Sequence, residues 1–376
     1  MIEFAPARSG TALLDERERL IHDLVSIPSP SGDEATAALF LAHWMGDHGM
    51  RAYVDRTNSV VGIRGEGEKE IVLLGHIDTV PGEIPVRVDG RVLYGRGSVD
   101  AKGPLAAFII AATQVEPPSG TRVIVIGATG EETDSRGARN ALNIFQPKAC
   151  LIGEPSSWDR ITLGYKGHLM LRWVFTGALA HSAAPLQTPA ECAFRFWQEV
   201  QRYEDDFNRD RPGVFDRLDA SLRSLNTHQR GCYGQADMQL VFRLPPDLPL
   251  EQLENDLRAL NGTARLEFSR REVSHVAEKN TFLTRALLQA IRSNGGRPRF
   301  VNKTGTSDMN IVAPVWNCPI AAYGPGDSSL DHTPQEHLDL NEFQRSIDVV
   351  RLTLEKLLQE CCGESKAAFD NSDPFR

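Results

Sequence analysis

Short apolar runs alternate with helical patterns over the first 165 residues. Runs at 52–54, 59–63, 71–74, 121–126 and 149–152 have the length and composition of buried strands. Between them, segments 11–25, 35–48, 104–114 and 135–144 carry apolar residues at helical spacing, and Thr11 is a suitable N-cap for the first. This alternation predicts an α/β domain with parallel strands in its sheet.

The pattern loses this regularity after Tyr165. Predicted strands at 169–177, 221–227, 236–244 and 264–273 are interrupted by predicted helices at 189–207 and 249–260. The alternation returns from Asn280, with helices at 281–293, 307–313 and 341–360 and strands at 298–301 and 319–323. The sequence therefore predicts a discontinuous domain, 1–165 with 273–376, and an inserted α+β domain, 166–272. The tail after Cys361 is expected to fray.

Composition and charge narrow the class of protein. A chain of 376 residues is long for one core, which favours two domains. The formal net charge is −9, and no stretch is rich in Lys and Arg, which argues against a nucleic-acid binder. The apolar runs are too short for a membrane helix, and the N-terminus has no signal-peptide pattern. Six cysteines without regular spacing indicate reduced, buried thiols in a cytoplasmic enzyme.

Chemistry-bearing side chains follow several predicted strands where each strand ends. They are His76 and Asp78 after 71–74, Glu131 and Glu132 after 121–126, Glu154 after 149–152, and His332 after 319–323, with Asp100 in a glycine-rich turn. Each has an ordinary alternative: a polar strand cap, a helix N-cap, a solvated turn or a loop residue. Together, nitrogen and oxygen ligands without thiolate predict zinc, with cobalt or manganese as substitutes. The spacing of His76 and Asp78 lets one bind metal while the other braces it.

Six motifs carry a resemblance to a known family. In chain order they are GHIDTVPG, YGRGSVDAKGPLAA, TGEETDSRGA, GEPS, GALAHSAAP and DHTPQEH. They resemble the two-zinc amidohydrolases and peptidases that include acetylornithine deacetylase, succinyl-diaminopimelate desuccinylase and carboxypeptidase G. The resemblance implies a metallopeptidase-type catalytic domain with a mixed, largely parallel sheet flanked by helices, and an inserted lid and dimerisation domain. It also implies a cis peptide after Asp100.

The same resemblance implies a role for each residue of the site. Asp100 bridges two metal ions, with His76 and Glu154 on one ion and Glu132 and His332 on the other. Glu131 is the general base and Asp78 the brace for His76. His181 stabilises the oxyanion, and a surface histidine is its ordinary alternative. A homodimer is expected, in which His181 reaches its own or a partner's site.

The substrate is less determined than the reaction. Six candidate substrate residues precede a predicted helix: Lys303, Thr304, Gly305, Thr306, Ser307 and Asp308. Their backbone amides and hydroxyls could bind a substrate carboxylate. The alternative is an ordinary capped turn. The run KTGTSDMNIV and the short insert look most similar to hydrolases that free lysine or ornithine from the C-terminal glutamate of a small acidic amino-group carrier protein, in lysine or arginine biosynthesis. A carrier of this kind would require a basic face, for which Arg270, Arg271, Arg297, Arg299 and Lys303 are candidates. The alternatives are deacetylation of acetyl-lysine or acetylornithine, desuccinylation of succinyl-diaminopimelate, and dipeptidase or carboxypeptidase activity, with a small N-acylated amino acid in place of the carrier in the deacylases.

Overall fold

The secondary structure comes from a computed structural model that describes residues 14–181 and 183–370. The helices are α1 (Glu16–Val25), α2 (Ala35–Asp47), α3 (Lys102–Thr113), α4 (Arg136–Ala141), α5 (Pro189–Asn208), α6 (Leu250–Leu260), α7 (Phe282–Ser293), α8 (Asp308–Trp316) and α9 (Leu340–Asp370). The strands are β1 (Arg51–Val54), β2 (Val60–His76), β3 (Arg87–Asp89), β4 (Val92–Tyr94), β5 (Gly120–Ala128), β6 (Ala149–Gly153), β7 (Arg160–Tyr165), β8 (Gly167–Ala178), β9 (Asp219–Arg230), β10 (Tyr233–Leu244), β11 (Arg265–Glu272), β12 (His275–Val276), β13 (Arg299–Lys303), β14 (Ile320–Ala322) and β15 (His337–Asp339). No helix among the described residues has the length and apolar character needed to cross a membrane.

The described chain divides into two compact units. One comprises the described residues up to Leu163, Ala277–Val301 and the residues from Ser307 on. The other comprises Gly164–Val276 and Asn302–Thr306. The insert expected at 166–272 falls inside the second unit.

A mixed sheet forms the centre of the first unit. Its strands follow the order β1, β2, β6, β14, β7, and β5 pairs with β2. The second half of β2 runs parallel to β6, and β6 runs parallel to β14. These strands are apolar and almost fully buried, as expected where helices flank a sheet. The mixed, largely parallel sheet predicted from the sequence is confirmed.

β2 folds back on itself around β5. Along residues 60–67 the partner numbers on β5 fall from Gly127 to Gly120, and along 69–76 they rise from Thr121 to Ala128. The reversal requires glycine at Gly67, where a Cβ atom would lie 2.0 Å from the carbonyl carbon of Gly120. The strands predicted at 59–63 and 71–74 are thus the two arms of one element, and the second arm ends at His76.

Helices of the first unit pack on this sheet and on one another. α3 packs against α1, α9 and strands β2 and β5, and it is buried from Lys102 to Ala112. α1 begins at Glu16 with Asp15 as its N-cap, whereas the predicted cap Thr11 lies outside the described residues. A small antiparallel sheet, β15-β4-β3, joins the segment before α9 to the chain before Gly95.

The second unit is an antiparallel four-stranded sheet, in the order β11-β8-β10-β9, with two helices. Alternate residues of β8 and β10 pack with α5 and α6 into one core around Trp173, Phe196 and Phe242. α5 begins at Pro189, and the side chain of its N-cap Thr188 accepts a hydrogen bond from the amide of Glu191 in a capping box. β12 pairs with the end of β7, at Tyr165 and Gly164.

Several sequence predictions differ from the structure. The prediction that the chain frays directly after Cys361 is wrong, because α9 continues in helical conformation to Asp370. α8 runs past the expected end at 313 to Trp316, with Pro314 inside the helix. The thiols were expected to be buried, yet Cys232 is exposed; the five cysteines with described side chains are free. The strands β3, β4, β12 and β15, of two or three residues each, are too short to give a period in the sequence.

Candidate metal centre

Five strand-end and loop residues converge in the first unit. His76 ends β2, Asp100 lies in the turn before α3, Glu132 follows β5, Glu154 follows β6, and His332 lies in the loop before β15. They form two sets, one of His76, Asp100 and Glu154 and one of Asp100, Glu132 and His332, each with its ligand atoms within 4.8 Å of one another. The two sets share Asp100, as the family resemblance implies.

The distances within each set are short. His76 Nε2 lies 3.2 Å from Asp100 Oδ1 and 3.9 Å from Glu154 Oε1. His332 Nε2 lies 3.1 Å from Asp100 Oδ2 and 2.9 Å from Glu132 Oε1. Ligand atoms at zinc, bound at about 2.0–2.2 Å, are about 3.3 Å apart in tetrahedral geometry. The two oxygens of Asp100 thus point to different histidines, as a bridging carboxylate requires.

The buried carboxylates of the site favour the binding of cations. Burial raises the pKa of Glu131 well above 4.5; the charge of His76 opposes this rise, while Glu154 and Glu132 add to it. Burial likewise raises the pKa of Glu132, against a hydrogen bond from His332. Four carboxylates crowded at one site are costly unless positive charge is supplied. The donor set of imidazoles and carboxylates therefore fits two divalent ions.

The same carboxylates raise the pKa of both histidines. Burial opposes the charge of His76, but its hydrogen bond with Asp100 and the charge of Glu131 raise its pKa well above 6.5. Hydrogen bonds with Asp100 and Glu132 raise the pKa of His332 to about 10. The pKa of Asp100 is lowered: burial opposes ionisation, and the hydrogen bonds from His332 and His76 outweigh it. Each histidine must release its proton before its Nε2 can bind a metal ion.

Asp78 has a different contact from the one the resemblance implies. His76 Nδ1 lies 3.0 Å from the backbone carbonyl oxygen of Asp78, while the carboxylate is 3.7 Å away. The hydrogen bond that orients the imidazole is therefore made by the carbonyl group of Asp78. The Asp78 carboxylate is within ion-pair distance of His76, and its bracing role stays a prediction.

The carboxylate of Asp78 instead holds the turn after β5. Its Oδ1 accepts a hydrogen bond from the amide of Glu131 at 3.1 Å, and its Oδ2 accepts one from the amide of Glu132 at 3.2 Å. Ser31 Oγ donates to the same Oδ2 at 2.7 Å, and the side chain of Asp78 is fully buried. Asp78 thus fixes the backbone of the predicted base and of one predicted ligand. No residue pattern pointed to Ser31, which lies in a Pro- and Ser-rich loop.

The predicted substrate segment is divided between the two units. Ser307 caps α8: its Oγ accepts from the amide of Met309 at 3.2 Å, and its own amide donates to Asn310 Oδ1 at 2.9 Å. Asp308 is 2% exposed, and burial raises its pKa to about 7, with His76 opposing and Asp78 adding to the rise. Ser307 and Asp308 are therefore buried in the first unit, and Asp308 is close enough to His76 and Asp78 to feel their charges.

In the second unit, the rest of the segment lies beside an arginine that sequence reasoning missed. Arg243 on β10 donates from Nη1 to Thr306 Oγ1 at 2.8 Å. Lys303 ends β13, and its carbonyl accepts from the amide of Lys166 at 3.3 Å. Thr304 is exposed, whereas Gly305 is partly buried. The same unit carries His181, which is exposed and whose Nδ1 accepts from the amide of Ala183 at 3.2 Å.

The backbone of the turn before α3 agrees with a further expectation. The peptide between Asp100 and Ala101 is cis, as the resemblance implies. Lys102 follows directly, 1% exposed, and donates from Nζ to the carbonyl oxygens of Leu24 at 3.2 Å and Ile27 at 2.7 Å. The turn that carries the candidate ligand Asp100 is thus tied to the end of α1.

Comparison with known proteins gives a family and named relatives. The sequence profile of peptidase family M20/M25/M40 matches residues 72–356. A LysW-lysine hydrolase of Deinococcus radiodurans is 45% identical over 348 residues, which is 90% of this chain and 96% of that protein. A LysW-lysine/LysW-ornithine hydrolase of Saccharolobus islandicus is 32% identical over 350 residues, which is 91% of this chain and 96% of that protein.

Solved structures share the fold. An M20 family metallo-carboxypeptidase from Sulfolobus solfataricus superposes with a TM-score of 0.76, at 17% identity, over 92% of this chain and 99% of that one. At this identity the likeness concerns the fold, and it agrees with the metallopeptidase architecture expected from the sequence.

Proposed function

The chain belongs to peptidase family M20/M25/M40, and from this premise we propose that it hydrolyses an amide bond to release lysine or ornithine from a small acidic amino-group carrier protein. The bond would link the amino acid to the C-terminal glutamate of the carrier, in lysine or arginine biosynthesis. The observation that carries the substrate assignment is the 45% identity to a LysW-lysine hydrolase over 90% of the chain. The observation that carries the reaction type is the pair of ligand sets that share Asp100.

Two zinc ions are the proposed cofactors, with cobalt or manganese as substitutes. His76, Asp100 and Glu154 would hold one ion, and Asp100, Glu132 and His332 the other. When bound, the ions supply Lewis acidity, which polarises the amide carbonyl group and makes a water molecule a stronger acid.

Glu131 is the proposed general base and acid. Its carboxylate lies among the ligands, as the influence of Glu132, Glu154 and His76 on its pKa indicates. It would accept a proton from the attacking water and then donate it to the nitrogen of the leaving amine. Because the carboxylate of Asp78 holds the amide of Glu131, the base has a fixed backbone position.

His181 and the segment 303–308 provide the remaining predicted contacts. His181 would donate a hydrogen bond to the oxyanion, in its own or a partner subunit's site. Arg243 and Thr306, already joined by a hydrogen bond, would bind the carboxylate of the released amino acid, with Lys303, Thr304 and Gly305 beside them. Ser307 and Asp308 remain predicted substrate residues whose side chains are buried in the first unit.

A homodimer and a cytoplasmic location complete the proposal. β9 forms an edge of the sheet in the second unit, and Leu222 and Leu225 on it are 38% and 40% exposed. An exposed edge strand with apolar side chains favours pairing with a second copy of the chain. Cysteines without regular spacing suit a reducing compartment.

The test is amino-acid release by zinc- or cobalt-loaded enzyme from carrier-linked lysine, carrier-linked ornithine, acetyl-lysine, acetylornithine, succinyl-diaminopimelate and a dipeptide. We expect turnover of the carrier-linked substrates, and a loss of about 10²- to 10⁴-fold in Glu131→Gln, because the proton transfer is removed. Turnover restricted to a small acylated amino acid or to the dipeptide would overturn the carrier assignment. Unchanged activity in Glu131→Gln would overturn the assignment of the base.

A further inference from the structure

We infer that Glu336 is a positioning residue for the metal centre: its carboxylate holds the turn that carries Asp100, and so sets the affinity of the site for its ions. The inference deepens the proposed function and rests on the metal centre proposed above. Glu336 lies in the motif DHTPQEH, four residues after His332, and neither the comparisons nor the residue pattern assigns it a role.

Glu336 makes three hydrogen bonds inside the first unit. Its side chain is fully buried, and its Oε1 accepts from the amide of Val99 at 3.0 Å and from the amide of Asp100 at 3.1 Å. Its Oε2 accepts from Nη1 of Arg96 at 2.7 Å. The guanidinium of Arg96 also donates from Nε to the carbonyl oxygen of Gly82 at 3.0 Å. Three donors converging on one buried carboxylate form an arrangement suited to an ionised side chain.

The small sheet explains how a distant residue reaches this turn. β15 pairs with β4, with His337 opposite Tyr94. Glu336 directly precedes β15, and Gly95 directly follows β4, so the register brings Glu336 to the start of the turn. The backbone carbonyl of Glu336 accepts from the amide of Gly95 at 3.5 Å.

The same segment therefore serves the centre twice. It contributes His332, which contacts Asp100 and Glu132, and it contributes the carboxylate that fixes the amide of Asp100. Because Asp100 belongs to both ligand sets, a shift of its backbone would alter both ion sites. Glu336 acts through Asp100 and has no proposed contact with the substrate.

Replacing Glu336 with Gln removes the charge and one acceptor oxygen while nearly preserving the size of the side chain. The amide group of Gln offers one acceptor oxygen in place of two, so it can serve the amides of Val99 and Asp100 or the guanidinium of Arg96, but not both. The unserved donors lose a charge-assisted partner inside the protein, and the turn must adjust. Loss of a residue that orients a metal ligand commonly weakens metal affinity or activity by about 10- to 100-fold.

Glu70 provides a matched control. It is 5% exposed, pairs with Arg122, and accepts from the amide of Gln146 at 2.7 Å. It precedes His76 by six residues along an extended strand, which puts it about 20 Å from the centre. Glu70→Gln should therefore reproduce the loss of a buried carboxylate and its arginine pair without altering the ligands.

The experiment measures zinc dissociation constants of the full-length wild type, Glu336→Gln and Glu70→Gln by competition with a chromophoric chelator, together with kcat and KM on the proposed substrate and urea unfolding. We expect Glu336→Gln to bind zinc about 10- to 100-fold more weakly, with KM little changed and with kcat restored by excess zinc. We expect Glu70→Gln to lose stability while its zinc affinity stays at the wild-type value.

The outcomes separate the inference from the proposed function. If the wild type does not bind two zinc ions, the metal centre itself is refuted. If the wild type binds two ions and Glu336→Gln binds them equally well, Glu336 is merely structural and the inference is wrong. Should Glu336→Gln fail to fold, Glu336→Asp takes its place: it keeps a carboxylate but draws it back by one methylene from the amides of Val99 and Asp100, and wild-type zinc affinity in that variant would overturn the inference.

Discussion

Lys102 offers a quantitative test of how the turn beside the centre is held in the fold. Its side chain is 1% exposed, and its Nζ donates to the backbone carbonyl oxygens of Leu24 and Ile27. Burial lowers the pKa of Lys102 from 10.5 to about 8, with the charge of Glu336 opposing the change. We expect Lys102→Met to remove a pH dependence of stability that the wild type possesses.

The magnitude follows from the difference in pKa between the two states. A folded pKa of about 8 against 10.5 in the unfolded chain costs the fold about 3 kcal/mol at neutral pH, where both states are protonated. Between the two pKa values the unfolded chain keeps a proton that the fold has released, so the stability rises with pH. From pH 7 to pH 9.5 this term adds about 2 kcal/mol to the wild type and nothing to Lys102→Met.

The absolute stability of the variant at pH 7 should change much less. Methionine removes the cost of a buried charge, but it leaves two carbonyl groups without that donor, at about 1 kcal/mol each. The two effects nearly cancel at neutral pH. The difference in pH dependence between wild type and variant is therefore the informative quantity.

The assay is urea unfolding followed by tryptophan fluorescence at pH 7 and pH 9.5, on chelator-treated protein so that no bound cation contributes. The exposed Lys148→Met is the control for removal of a lysine as such. If wild type and Lys102→Met change in parallel between the two pH values, while Lys148→Met also follows them, the buried ammonium does not carry the expected cost.

Two further predictions concern the site. Asp78→Asn keeps one acceptor oxygen for the amides of Glu131 and Glu132, so we expect zinc affinity or kcat to fall by about 10- to 100-fold. Chelator competition measures the affinity and steady-state kinetics measure kcat. Equal values in the wild type and Asp78→Asn would contradict the role of the carboxylate. Arg243→Met should raise KM for the carrier-linked substrate by about tenfold with a smaller effect on kcat, because a charge-assisted hydrogen bond to the amino-acid carboxylate is worth about 1.5–3 kcal/mol. The control variant for Arg243→Met is Arg172→Met, which removes an arginine of β8 that pairs with Asp237 and Glu267. An equal rise in KM in Arg172→Met would argue against a specific contact of Arg243.

The parts of the fold with a strong sequence period were predictable. The buried strands β5 and β6 and the amphipathic helices α5, α6 and α7 lie within a few residues of their predicted bounds. The reversal of β2 at Gly67 was not, since a glycine in a polar run reads equally well as a turn between two strands. The length of α9 was also missed, because the polar residues after Cys361 suit either a helix or a frayed tail.

The convergence of the candidate ligands was predictable for a related reason. The carboxyl ends of neighbouring strands meet at one edge of a sheet, so polar residues after β2, β5 and β6 converge whatever the loops do. The hydrogen bonds that orient them were harder to foresee. Asp78 was expected to contact a neighbour two residues away, yet its carboxylate reaches Glu131 and Glu132, 53 and 54 residues along the chain.

Three buried glutamates show where sequence reasoning stops. Glu34, Glu70 and Glu336 all stand in polar stretches, where an exposed carboxylate is the usual outcome. Each is instead at most 5% exposed and pairs with an arginine, at separations of 102, 52 and 240 residues respectively. The composition around a glutamate carries no information about a partner so far away, and only the register of β2, β5, β4 and β15 brings the last two pairs together. Of the three, Glu336 alone bonds to the backbone of Asp100, the predicted shared ligand, so we expect its loss to affect the site as well as the stability of the fold.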